Sequence, residues 1–145
     1  MTTRFKLFKK IIDGLIYIHA QNIKHLDIKP ANVLIITDAA GIWNEDDCVI
    51  TDFGIASDAD RETGLAGTPG FASPEQLIGT AGMDSDKYSF GMLSLMLFSD
   101  WPTFWSSSFQ PISEQDLAAI QIDPAYVQLF DAIKTLIRVR NYLYY

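Results

Sequence analysis

The sequence predicts a mainly α-helical fold with one small β-hairpin or sheet, built as a single domain over residues 1–145. Three observations predict it. Apolar residues recur at spacings of three and four from Phe8 onward, two short runs rich in β-branched residues (VLII and CVI) follow, and 85–98 is apolar on nearly every side. A chain of 145 residues can bury roughly 70% of the surface that its unfolded form exposes, so its stability requires neither disulfides nor a structural metal.

The first helix is expected from about Thr3 to Gln21, its buried stripe formed by Phe8, Ile11, Ile12, Leu15, Ile16 and His19 and widened by Leu7 and Ile18. Its first turn is basic, against the helix dipole. In HLDIKPANVLIITD, Pro30 excludes a helix interior and VLII reads as a strand. DAAGIWNEDD reads as a polar surface excursion, and CVITDFG as a second strand able to pair with the first. From Gly54 to Gly82 the chain holds six of its nine glycines and no long period, which predicts a loop with a short helix at Pro74–Ile78. A central helix over Ser85–Phe98 follows. Beyond a Trp101–Trp105 turn, Ser113 and Asp116 form a capping signature for a helix to Ile120, and Pro124 opens a last helix ending near Tyr145.

Composition narrows the function classes. Eighteen acidic against 11 basic side chains give a net charge of -7, which removes the broad positive field that nucleic-acid binding uses. The best apolar run, Gly91–Phe98, is far short of a membrane span, so no membrane partner is expected. One cysteine, Cys48, forms no intrachain disulfide and no thiolate cluster, which fits a cytoplasmic or otherwise intracellular setting. Apolar residues at 48% are slightly rich for a monomer, so a partner is expected to cover some apolar surface.

Three motifs carry chemistry, in order: His25-Leu26-Asp27-Ile28-Lys29-Pro30-Ala31-Asn32, Asp52-Phe53-Gly54, and Gly67-Thr68-Pro69-Gly70-Phe71-Ala72-Ser73-Pro74-Glu75. Asp27 stands on a loop after a helix with Lys29 and Asn32 close beyond it, and Asp52 follows a strand that pairs beside theirs. Two carboxylates, an ammonium and an amide oxygen can thus converge, a set suited to phosphoryl transfer.

With these motifs the sequence resembles the C-terminal lobe of a eukaryotic-type serine/threonine protein kinase, over nearly its whole length. The resemblance implies a catalytic base at Asp27, a phosphate contact at Lys29, and ATP and Mg2+ held with Asn32 and Asp52. It implies a protein Ser/Thr hydroxyl as acceptor, with Thr68 either contacting Asp27 or serving as an ordinary loop hydroxyl. Asp86 is implied to anchor the catalytic-loop backbone, and His25 to pack on Phe53. His19 is expected to have no chemical role.

The departures are as informative. Only 26 residues precede Asp27, no G-x-G-x-x-G occurs, and the resemblance finds no N-terminal, ATP-covering lobe in this sequence. Leu26 replaces the family's arginine, which pairs with phosphate on the activation loop. Phe71 replaces a tyrosine, and the arginine expected to meet Glu75 is either Arg138 or Arg140. Two functions follow: a catalytic half that needs the missing lobe from a separate chain, or a non-catalytic binding or regulatory module. The face around Ile23, Leu34 and Phe53 is expected to be covered by a second copy, a separate lobe or a rearranged loop.

Overall fold

The computed structural model describes residues 2–58, 67–99 and 112–141, without the side chains of 45–47 and 138–141. The expectations for Trp101, Phe104, Trp105, Tyr142, Tyr144 and Tyr145, and for the side chains of Arg138 and Arg140, lie outside the described residues.

Helix α1 (Thr3–Ala20) starts where Thr2 Oγ1 accepts the Phe5 N–H, supplying one of the acceptors that a helix start lacks. It buries Ile11, Leu15 and Ile18, spaced by four and three. Ile16, expected on that stripe, is exposed instead. One residue past Leu15 is about 100° further round the helix, so a stripe centred on Leu15 turns Ile16 away.

Strand β1 (Ile23–Lys24) leads into the loop of Asp27, and a single 3-10 turn at Pro30–Asn32 leads out into β2 (Val33–Thr37). The partner of β2 is β3 (Trp43–Ile50), antiparallel, with Val33 opposite Ile50, Leu34 opposite Val49 and Ile35 opposite Cys48. The expected long excursion is therefore shorter than the sequence implied. A tight turn at residues 38–42 closes the hairpin, with Asp38 Oδ1 accepting the N–H groups of Ala40 and Ile42 and Gly41 at φ 75°. The surplus residues are absorbed as a register break between Ile35 and Thr37, so Asn44 to Asp47 belong to β3 and not to a loop. A second ladder was not foreseen: β4 (Ser57–Asp58) pairs with β1.

Helix α2 (Met83–Phe98) is the centre of the molecule, starting two residues earlier than expected; Ser85 Oγ accepts the Gly82 N–H at its start. Eleven of its residues are buried. Phe8 of α1 packs on Phe90 and Phe98 at ring distances of 5.0 and 5.6 Å, so aromatic contact ties the two helices. Helix α3 (Glu114–Ala119) has the expected cap, Ser113 and Asp116 exchanging backbone-to-side-chain bonds of 3.0 and 3.1 Å. After a 3-10 turn at Pro124–Tyr126, α4 (Val127–Asn141) packs on α2. That contact is close: a Cβ on Gly91 would lie 2.9 Å from Ile137 Cγ1. The architecture is thus mainly helical with two small antiparallel ladders. Among the described residues, no helix is long and apolar enough to cross a membrane.

Candidate active site

Asp27 sits between β1 and the Pro30 turn, partly buried, with both carboxylate oxygens engaged. Thr68 Oγ1 donates to Oδ1 at 2.6 Å, and Asn32 Nδ2 donates to Oδ2 at 3.2 Å and to the Asp27 carbonyl at 2.8 Å. Lys29 Nζ donates to Thr68 Oγ1 at 2.8 Å and lies 3.5 Å from Asp27 Oδ2. Of the two readings left open for Thr68, the contact to Asp27 is the one formed. A hydroxyl that donates to the carboxylate while accepting from the ammonium fixes both side chains at once.

The loop beneath them depends on α2. Asp86, fully buried, accepts the N–H of His25 through Oδ2 and that of Leu26 through Oδ1, both at 2.7 Å. Leu26 is held at φ 70°, a left-handed conformation costly for a branched side chain, so the two charge-assisted bonds hold a backbone that would otherwise relax. His19 Nε2 reaches Asp86 Oδ2 at 2.8 Å. His19, expected to have no chemical role, thus has a structural one: it adds a partner to the buried carboxylate. Nothing in the spacing of α1 announces that contact, because the partner lies 67 residues away.

His25, buried as expected, packs edge-on against Phe53 at 4.7 Å. Its Nδ1 accepts the Asp27 N–H at 3.1 Å, which leaves the proton on Nε2 to be donated to the Thr51 carbonyl at 2.9 Å. Thr51 N–H in turn donates to the Asn32 carbonyl at 2.8 Å. Asn32 and the stretch entering Asp52 are therefore joined through the backbone. Asp52 itself is exposed, has φ 60°, and its Oδ1 accepts the Gly54 N–H at 3.3 Å.

The segment 71–76 is buried more deeply. Ser85 Oγ donates to Glu75 Oε1 at 3.0 Å, and Ser89 Oγ to the Phe71 carbonyl at 2.6 Å. Gln76 Nε2 donates to the Leu26 carbonyl at 2.7 Å, a link the sequence did not reveal because its acceptor is a backbone group 50 residues away.

The sequence of this chain is matched by known proteins. The protein kinase domain family matches residues 2–138. The chain belongs to that family. It is 36% identical over 131 residues to a DNA damage response protein kinase of Saccharomyces cerevisiae, covering 78% of this chain and 25% of that protein. A probable serine/threonine-protein kinase of Dictyostelium discoideum is 32% identical over 128 residues, covering 81% of this chain and 18% of the relative. Myosin light chain kinase A of the same organism is 32% identical over 118 residues, covering 78% and 38%. The chain spans between 18% and 38% of the length of these three relatives. The helical architecture with its small ladders is that of a protein-kinase C-terminal lobe.

Within the kinase family, magnesium would be held by oxygen donors. The donor chemistry here fits: Asn32 turns its amide nitrogen toward Asp27, leaving its amide oxygen, and Asp52 offers an exposed carboxylate. Two protein oxygens are few, and magnesium sites of that kind rely on water and phosphate for the rest. Among the described residues no cluster of three or more His, Cys, Asp or Glu could hold a metal alone.

Proposed function

We propose that this chain is one protein-kinase C-lobe-like domain acting as a binding and regulatory module, which presents an assembled acceptor site and does not by itself carry out phosphoryl transfer. The carrying observation is the openness of the nucleotide side: Asp52 is exposed, and Leu34 and Phe53 retain 51% and 43% of their accessible surface. A nucleotide lying there against this chain alone would stay wet, and electrostatic stabilisation of a transferring phosphate is weak in water. The single cysteine fits an intracellular setting, and the partners are a protein bearing Ser or Thr and, over the open face, a separate ATP-covering lobe or a second copy.

A second reading is favoured by the bonds around Asp27: the catalytic half of a serine/threonine kinase. Bound ATP and Mg2+ would supply the phosphoryl group and offset its charge. Asp27 would orient the acceptor hydroxyl and take its proton, with Lys29 beside the developing charge and Thr68 fixing the Asp27 carboxylate. Asn32 and Asp52 would hold the metal.

Radiolabelled phosphate transfer to a generic Ser/Thr substrate, with and without a supplied ATP-covering lobe, separates the readings. The module reading expects no transfer by the chain alone and none on complementation. Transfer by the isolated chain that disappears in Asp27→Asn overturns it. Complemented transfer that falls on the order of a hundredfold or more in Asp27→Asn establishes the second reading, and complemented transfer indifferent to that change rejects it.

A further inference from the structure

We propose that Gln76 is a positioning residue, a neutral buried clamp that holds segment 67–76 on the catalytic loop, so that the order of this segment does not depend on phosphate. The inference deepens the proposed reading by assigning its regulation, and its test requires neither ATP nor activity.

Leu26 stands where the resemblance expects a phosphate-pairing arginine, and its side chain is buried, so this position offers no cation to a phosphate. Its backbone is nevertheless gripped from both sides. Its N–H goes to Asp86, and its carbonyl takes the amide hydrogen of Gln76, itself 1% exposed. The same Gln76 amide turns its oxygen to the Ser73 N–H at 3.2 Å, and Ser73 Oγ accepts the Gln76 N–H at 3.3 Å. One side chain therefore ties the catalytic loop to the turn that ends the segment.

Gly67, at the other end, is shaped to the clamp. At φ 114°, a Cβ there would lie 2.8 Å from Gln76 Nε2, 2.9 Å from Ala72 Cβ and 3.5 Å from the Leu26 carbonyl oxygen. Between these ends Phe71 and Ala72 direct their N–H groups to the Thr68 carbonyl at 3.1 and 2.9 Å, and Thr68 reaches Asp27. The clamp thus sets where Thr68 stands. A buried amide can accept and donate at once while staying neutral, whereas a charge at this depth would need a partner.

The test is amide hydrogen exchange of the full chain after phosphatase treatment, read at Phe71 and Ala72, which do not bond to the Gln76 side chain. Wild type is expected to keep both protected at roughly pH 5 and pH 8. Gln76→Leu should reduce their protection factors roughly tenfold at both values, as loss of a buried hydrogen bond implies. Gln76→Glu should lose protection at about pH 8, where a carboxylate faces the Leu26 carbonyl, and recover it at about pH 5, where burial favours the protonated acid that can donate. Unchanged protection in Gln76→Leu overturns the clamp. Absence of acid recovery in Gln76→Glu also overturns it, assigning the residue to packing, and this holds even if Gln76→Leu unfolds. Loss of wild-type protection on dephosphorylation removes the phosphate independence.

Discussion

Two sides of the same catalytic loop are built in opposite ways. On the proposed acceptor side, Asp27, Thr68, Gln76, Glu75 and Asp86 form a set of bonds anchored in a helix with eleven buried residues. On the proposed nucleotide side, β2 and β3 present Leu34, Ile36 and Val49 to solvent, and Phe53 lines an apolar groove of about 280 Å3 with Tyr17, Cys48 and Ile50. The first side is finished by the chain's own residues. Among the described residues, the second has the composition of an interface without the contacts of one. Rigidity at this site therefore follows burial of the acceptor machinery, and incompleteness follows exposure of the ladder.

Asp86 is where this set of bonds is most easily undone. Asp86→Ala strands two buried N–H groups and releases a strained backbone, so it is expected to cost about 3–5 kcal/mol in urea denaturation. A loss below about 1 kcal/mol would show that the acceptor side is not held from α2.

Alkaline pH provides a second probe. Burial pushes the Tyr88 hydroxyl up to about 12 from 10.0, the backbone bond to Ile112 opposing this and the Glu75 charge adding to it. Because the folded chain then keeps a proton that the unfolded chain gives up, the stabilisation is complete below pH 10 and is lost as pH rises toward 12. Denaturation across that window should show wild type losing on the order of 2 kcal/mol more than Tyr88→Phe. Equal slopes would mean that the ring is not confined by α2 and the segment around Ile112.

How much of this was legible in sequence divides along the same line. Helices α1, α2 and α3 were readable because their signals are local: period, apolar density and the Ser113–Asp116 cap. Asp27, Asn32 and Thr68 were readable because the motifs keep fixed spacing, and the structure bonds all three together. His19 and Gln76 were not, since each meets a distant partner from outside any motif and neither differs in type from an ordinary helix or turn residue. The β3 boundary was misread for another reason: Asn44 to Asp47 have turn composition, yet they are carried in a strand by a break in register.

A smaller effect sharpens the acceptor side. Thr68→Val removes the hydroxyl between Lys29 and Asp27 at nearly constant volume, and a loss of about 1 kcal/mol is expected in thermal unfolding. The smallest effect belongs to the open side. Leu34→Ser should change stability by no more than about 0.5 kcal/mol while reducing binding of an apolar dye. A large destabilisation there would mean that the ladder is already covered by another copy, which sedimentation would detect.

The left-handed Leu26 also has a consequence for how the protein is made. The loop that it shapes is synthesised 60 residues ahead of Asp86, the carboxylate that holds it. At ordinary elongation rates that interval is roughly 3–12 s, during which α1 and the hairpin have their local partners and the loop does not. The acceptor site is thus a late product of translation, appearing only when the central helix emerges and docks, and a nascent chain arrested before that point would carry its motifs without the geometry that gives them use.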